Sequence, residues 1–262
     1  MPPDITGTFA CGLTTGLIQA AVFNPYDRAM YLSIQLNRPF LSSANWALRE
    51  SFVGVLPSVL QRAVSSGLYF PLEQVARIRL RSAFDNHGKV DALAGVISGA
   101  ATGFITAPIN AAKFDQWRQA SSKSAADSAR SVYREGGIRG LMRAAPVTVV
   151  RDVSFGITFS YLRHRNDSGL IENITAALIA TVISSPFNYV RLRQYAAFGV
   201  LQQPTALTIL KDVARDIRLM PTLTDRLRCT FRVFNIGWGA LRVGLGMGIS
   251  SQIFDVCTRN YT

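Results

Sequence analysis

Charged residues, histidine and cysteine are scarce in this sequence of 262 residues. Asp, Glu, Lys and Arg make up 17% of the chain, apolar residues make up 48%, and the mean hydropathy is positive. The two histidines, His87 and His164, are isolated, and the three cysteines are far apart without a CxxC pair. The cysteine pattern argues against a disulfide framework and a zinc site. A composition this apolar favours a membrane protein over a soluble one.

The sequence also lacks the motifs of common enzyme classes. It has no glycine-rich phosphate loop, no plausible Ser/His/Asp set and no metal-ligand cluster, so we predict a protein that is not an enzyme and that needs no cofactor or metal. The net charge of +12 could indicate nucleic acid, but the basic residues lie between long charge-free stretches. We therefore expect anionic membrane lipid as a partner and no nucleic acid.

Six stretches have lengths close to the ~20 residues that cross a hydrocarbon core of ~30 Å. Three of them carry no charge: Ile5–Tyr26, Ala92–Ala112 and Asn173–Val190. The other three carry one arginine near the midpoint, in the second case with Asp152 beside it: Ser51–Leu72 with Arg62, Ala144–Leu162 with Arg151, and Val233–Phe254 with Arg242. The alternative, three soluble amphipathic helices with a chance charge each, does not explain why plain and arginine-containing stretches alternate.

The three central arginines predict a polar interior. A charged side chain at the middle of a bilayer costs at least ~2.5–3.5 kcal/mol, so each arginine should face water or a partner inside a bundle. We predict that Arg62, Arg151 and Arg242 line one cavity and bind an anionic group, because guanidinium donors suit carboxylate or phosphate. Asp152 could accept from an ammonium group, or the Arg151–Asp152 pair could be a structural link.

The six stretches form an internal repeat of three pairs. Small residues four apart are followed by a proline at the same distance in all three charge-free stretches, with the third copy degraded: Gly12, Gly16 and Pro25; Gly95, Gly99 and Pro108; Asn173, Ala177 and Pro186. Such small residues let helices approach closely in lipid, and the prolines should kink each helix at one level. The predicted units are residues 1–88, 89–168 and 169–262.

These features resemble the mitochondrial carrier family. The resemblance lies in three copies of a Pro-x-[Asp/Glu]-x-x-[Lys/Arg] signature, each after a small-residue stripe: Pro25-Tyr-Asp27-Arg-Ala-Met30, Pro108-Ile-Asn110-Ala-Ala-Lys113 and Pro186-Phe-Asn188-Tyr-Val-Arg191. It implies an all-α membrane protein with six transmembrane helices, in three pseudo-threefold helix-pair repeats around a central cavity. In this family the second helix of each repeat carries a substrate contact residue, at the level where the three arginines fall.

The resemblance also implies a location and a role. A multi-pass protein of the mitochondrial inner membrane would have its long basic loops in the matrix and cardiolipin among its anionic lipids. The Arg151–Asp152 pair is similar to the contact residues of amino-acid or carnitine carriers. We therefore expect alternating-access exchange of a small anionic or zwitterionic solute, either a carboxylate or an amino acid.

The sequence departs from the family where the two gates should be. The matrix gate pairs an acid and a base in each signature, but here the positions are occupied by Asp27 and Met30, Asn110 and Lys113, and Asn188 and Arg191. On the cytoplasmic side Asp255 matches the acidic position of the gate motif, whereas Thr258 stands in place of the base. Eroded gates leave an alternative open, namely a carrier fold that no longer transports and serves as a structural subunit of a larger inner-membrane complex such as a respiratory complex.

Overall fold

The computed structural model describes residues 5–47, 50, 52–84, 86–119, 124–165, 169–197 and 204–246. Within these ranges the chain forms helices and turns without a strand, so the predicted helical class is confirmed for this part of the protein. The helices are α1 (Ile5–Gln35), α2 (Val55–Arg81), α3 (His87–Gln119), α4 (Ala125–Leu141), α5 (Ala145–Arg165), α6 (Leu170–Ala196), α7 (Ala206–Arg218) and α8 (Leu223–Val233). A further helix, α9, is described over residues 236–246.

A ring is formed by helices α1, α2, α3, α5, α6 and α9. Contacts run in chain order from α1 to α2, α3, α5 and α6. Two hydrogen bonds join α9 to α1, because the Tyr26 hydroxyl donates to the Trp238 carbonyl at 2.7 Å and the Gln19 amide donates to the Gly246 carbonyl at 2.7 Å. On its other side α9 packs against α6, where Gly244 lies against Leu178. The ring therefore closes on itself.

The described part of the ring has a polar interior and an apolar exterior. Buried polar side chains occur on α1, α3 and α6, and they include Thr15, Gln19, Asn24, Ser98, Thr102, Thr106, Ser184 and Ser185. Large apolar side chains are exposed on the same helices, among them Leu17, Val22, Ile97, Phe104, Ile171, Ile179 and Ile183. In a protein surrounded by water, buried polar groups and exposed apolar patches are the exceptions that need an explanation.

By length and hydropathy, one helix in the described residues, Gly88–Gln119, is suited to crossing a membrane, and this observation alone is weak evidence. It contains the predicted span Ala92–Ala112. The other five predicted spans stay predictions.

Glycines bring α1 close to α2 and α3 close to α5. A Cβ added at Gly16 would lie 2.6 Å from the carbonyl oxygen of Arg62, and one added at Gly99 would lie 2.5 Å from the carbonyl oxygen of Asp152. Real Cβ atoms essentially never make contacts this short, so a larger residue at either position would force the two helices to shift. The small residues noted in the sequence thus hold the segments that carry Arg62 and Arg151 against the neighbouring helix.

One end of the ring, here called the loop-helix end, holds the largest apolar core. It is the end at which α1, α3 and α6 finish and to which α4, α7 and α8 are connected. The core brings together Tyr31, Phe114, Trp117, Tyr195 and residues of α4 and α7. At this end Gly54 is the N-cap of α2 with φ of 74°, and the Trp117 indole packs against it while donating to the Val53 carbonyl at 2.9 Å. Apolar packing therefore dominates the loop-helix end.

The connections from α1 to α2, from α3 to α5 and from α6 to α9 differ. A 17-residue helix, α4, links α3 to α5, and α7 and α8 lie between α6 and α9. Between α1 and α2 the described residues contain only a one-turn 3₁₀ helix, Ser43–Asn45, beside a cluster of the aromatic rings of Tyr26, Phe40 and Trp46. The prolines of the signatures, Pro25, Pro108 and Pro186, lie inside α1, α3 and α6, which all continue past them.

Candidate functional site

A cavity of about 80 Å³ lies inside the ring, and all three central arginines line it. Arg62 is supplied by α2, Arg151 by α5 and Arg242 by α9. Other side chains of the lining come from α1, α3 and α6 and include Asp27, Lys113, Ser184, Ser185, Asn188 and Arg191. The ring thus brings together residues that are more than two hundred positions apart in the sequence.

The carboxylate of Asp27 binds two of these arginines. Arg242 donates from Nε to Oδ1 at 2.6 Å and from Nη2 to Oδ2 at 3.0 Å, so the pair is bidentate. Arg62 donates from Nη2 to Oδ2 at 3.1 Å. The side chain of Arg242 is 2% exposed and also lies over the ring of Phe23. Asp27, predicted as a gate residue, is therefore an ion-pair partner of two predicted substrate contacts.

Arg151 has its own acidic neighbour. Its guanidinium donates to the carboxylate of Asp152, the next residue on α5, and it lies near the ring of Phe155. Asp152 is not among the residues that line the cavity, and its side chain packs near Gly103 of α3. Of the four predicted substrate-binding residues, the three arginines therefore line the cavity. Asp152 lies outside the lining and is bound to Arg151.

The bases of the second and third signatures pair with amides. Lys113 donates from Nζ to the side-chain carbonyl of Gln61 at 3.1 Å, and Arg191 donates from Nη2 to that of Asn188 at 2.8 Å. Within the described part of the chain neither base has a carboxylate at ion-pair distance. The two amide atoms of Asn110 are buried and have no hydrogen-bond partner among the described residues. The predicted matrix-gate residues thus lie near one another without forming a ring of ion pairs.

Five cations and one carboxylate line the cavity: Arg62, Lys113, Arg151, Arg191 and Arg242 against Asp27. Counting Asp152 beside Arg151 still leaves a formal excess of positive charge. Such a surface attracts anions and disfavours free cations. The arrangement can hold a carboxylate or another small anion by charge-assisted hydrogen bonds.

Comparisons of the sequence with known proteins find a matching protein family and similar proteins. Residues 88–165, which contain α3 to α5 almost entirely, match the family model described as mitochondrial carrier protein. The chain is 28% identical over 251 residues to the mitochondrial glycine transporter of Yarrowia lipolytica, covering 77% of this chain and 81% of that protein. These two matches support membership of the mitochondrial carrier family.

Two further carriers share shorter stretches with this one. The mitochondrial glycine transporter of Eremothecium gossypii is 27% identical over 188 residues, which cover 64% of this chain and 62% of that protein. The mitochondrial thiamine pyrophosphate carrier 1 of Meyerozyma guilliermondii is 25% identical over 149 residues, which cover 53% and 51% respectively. These relatives are transporters of small solutes rather than enzymes. Their family implies that this carrier resides in a mitochondrial membrane.

A second charged network of this carrier lies away from the loop-helix end, and the sequence did not predict it. The buried carboxylate of Glu73 on α2 accepts from Arg77 at 3.0 Å and from the hydroxyl of Ser160, and lies 4.0 Å from Arg163 on α5. Arg77 also lies 3.2 Å from the carboxylate of Asp91 on α3. The available signal was the four-residue spacing of Glu73 and Arg77 on one helix face. The predicted cytoplasmic-gate residue, Asp255, lies outside the described residues.

Proposed function

We propose that this carrier crosses the mitochondrial inner membrane with six helices in three repeats, and that it exchanges a small carboxylate or amino acid by alternating access. The carrying observation is that Arg62, Arg151 and Arg242, on three different helices, line one cavity. The six-helix arrangement is supported by the polar interior and apolar exterior of the ring. An apolar exterior is what contact with lipid tails requires, since no water is available there.

Size and charge indicate the class of solute. The cavity volume of about 80 Å³ is far below the ~300–1,000 Å³ of sites for drug-sized ligands, so the site suits a small molecule. The excess of guanidinium and ammonium groups suits a carboxylate, whereas Asp152, the predicted acceptor for an ammonium group, is bound to Arg151 outside the cavity lining. Glycine is the first solute to test, because two similar carriers are named glycine transporters.

Anionic lipid is the proposed surrounding. Basic residues gather in α7 and α8, which carry Lys211, Arg215, Arg218, Arg226, Arg228 and Arg232. Positively charged segments beside membrane helices attract anionic headgroups, and cardiolipin is the lipid of this kind expected for the proposed inner-membrane location.

Exchange in proteoliposomes tests the transport proposal. We expect glycine-loaded vesicles that contain the purified carrier to take up labelled glycine, and we expect Arg151→Gln to reduce the rate at least tenfold, because the cavity loses a guanidinium. Arg130→Gln is the matched control, since Arg130 is exposed on α4 and lies outside the cavity lining. Absence of exchange with glycine, other small amino acids and small carboxylates would contradict the proposal.

A structural role is the second candidate. It is favoured by the matrix-gate positions, because Asp27 binds the central arginines while Lys113 and Arg191 bind amides. Without a ring of ion pairs at the matrix gate, these contacts would not set the energy difference between the two conformations that alternate during transport. This candidate predicts comigration with a large inner-membrane complex, for example a respiratory complex, on native gels after mild extraction. Migration as a free protein would argue against it.

A further inference from the structure

The cations of the cavity divide into two groups by their partners. Arg62 and Arg242 share the carboxylate of Asp27, and Arg151 is bound to Asp152. Lys113 and Arg191 have only amide oxygens as hydrogen-bond acceptors within the described residues. Arg62 and Arg242 have one carboxylate between them, so one excess positive charge lies there. The other two lie at this second group, here called the base pair Lys113/Arg191.

The two bases lie next to each other against aromatic rings. Lys113 Nζ is 4.9 Å from the centroid of the Phe114 ring and 5.0 Å from that of Trp117, and the guanidinium carbon of Arg191 is 5.9 Å from the centroid of Phe114. Both bases line the cavity. Because they reach the same ring, their charges repel each other where water is limited.

The site has donors that are not used. Lys113 is 6% exposed, and its ammonium has three donors, of which one is directed to Gln61. The Nε of Arg191 is buried and has no hydrogen-bond partner in the described part of the chain. Ser184 and Ser185, one turn before Asn188 on α6, line the same cavity, but their hydroxyls already donate to backbone carbonyls. Burying a cation whose N–H donors lack acceptors costs free energy unless an anion accepts hydrogen bonds from them.

We infer that the base pair Lys113/Arg191 is a binding site for one small carboxylate, which supplies the negative charge that Asn110 and Asn188 lack. A guanidinium fork can hold a carboxylate through two donors, while the lysine acts as a point charge beside it. The bound anion then bridges α3 and α6 where a signature acid would have done so. That the carboxylate belongs to the transported solute rests on the proposed function, whereas the anion site stands without it.

Thermal unfolding of the detergent-purified full chain tests this site without any transport measurement. We expect acetate and glycine to raise the unfolding temperature in a saturable manner. A bulky sulfonate serves as the balancing anion that keeps the ionic strength constant during each titration. Chloride and inorganic phosphate are titrated in the same way. Stabilisation by acetate and glycine but not by chloride supports the carboxylate assignment, and equal stabilisation by chloride would overturn it in favour of an inorganic anion.

Substitutions at the site give the sharper result. Asn188→Asp places a carboxylate beside Arg191, so we expect a higher unfolding temperature without anion and an apparent acetate affinity at least tenfold weaker. Arg191→Gln should abolish the acetate effect, and Arg191→Lys should retain part of it. Arg193→Gln is the matched control, since Arg193 lies on the same helix, donates to the Tyr189 hydroxyl and is outside the cavity lining.

The outcomes separate the site from the transport function. An Asn188→Asp variant with the acetate affinity of the wild type, or a wild-type chain without saturable stabilisation, would overturn the inference even if glycine exchange is observed. Saturable acetate binding that Asn188→Asp weakens would support it even if no exchange is found, and the anion site would then belong to a carrier that does not transport.

Discussion

Replacing Asp27 with asparagine removes the one carboxylate that joins α1 to both α2 and α9 in the described structure. The guanidinium of Arg242 is 2% exposed and would lose a bidentate partner, while Arg62 would lose its contact at 3.1 Å. Breaking a buried pair by removing one partner costs about 3–5 kcal/mol, because the other charge stays buried. At about 2–4 °C per kcal/mol for a chain of this size, the unfolding temperature should fall by roughly 6–20 °C.

Intrinsic tryptophan fluorescence of the detergent-solubilised chain measures this change. Asp127→Asn is the matched control, because Asp127 and its partner Arg130 are both more than half exposed and such pairs contribute at most ~1 kcal/mol. Asp27→Asn combined with Arg242→Gln should be less destabilised than the sum of the single variants, because the buried guanidinium of Arg242 is then absent and only Arg62 loses its partner. If Asp27→Asn unfolds at the temperature of the control, the ion-pair reasoning for this cavity is wrong.

Two further changes test the helix contacts. Gly99→Ala adds a Cβ at 2.5 Å from a backbone oxygen of α5, so we expect the unfolding free energy to fall by about 1–3 kcal/mol in the same thermal assay. Gly136→Ala is the control, because its Cβ would meet only a side-chain nitrogen at 3.9 Å, and it should be close to neutral. Glu73→Gln leaves the guanidinium groups around it without their buried carboxylate, and we expect about 3–5 kcal/mol of destabilisation by thermal unfolding; an unfolding temperature equal to that of the wild type would show that the network contributes little.

The sequence indicated which residues carry the contacts because their signals are local. The spacing of Gly16 and Gly99 relative to the prolines reflects a helix face, and the structure places both glycines against a neighbouring helix. A single arginine in a long apolar stretch is costly unless it faces a polar interior, so the sequence predicts that Arg62, Arg151 and Arg242 converge. Their common cavity agrees with it.

The ion-pair partners could not be read from the sequence, since they depend on how the helices are turned and how far they approach. The signature suggested that Asp27 would serve the gate, yet its carboxylate binds Arg62 and Arg242, which are 35 and 215 positions away. In the same way Glu73 reaches Ser160, 87 positions away.

The amino-acid sequence by itself determined the helical class, the arginines of the interior and the family resemblance, because charge-free stretches and short motifs are properties of neighbouring residues. Only the tertiary structure decided which charges compensate each other. In the folded chain Asp27 pairs with two arginines, whereas Lys113 and Arg191 bind amides. Charge pairing depends on distances of a few ångströms between helices, and the order of residues does not determine these distances.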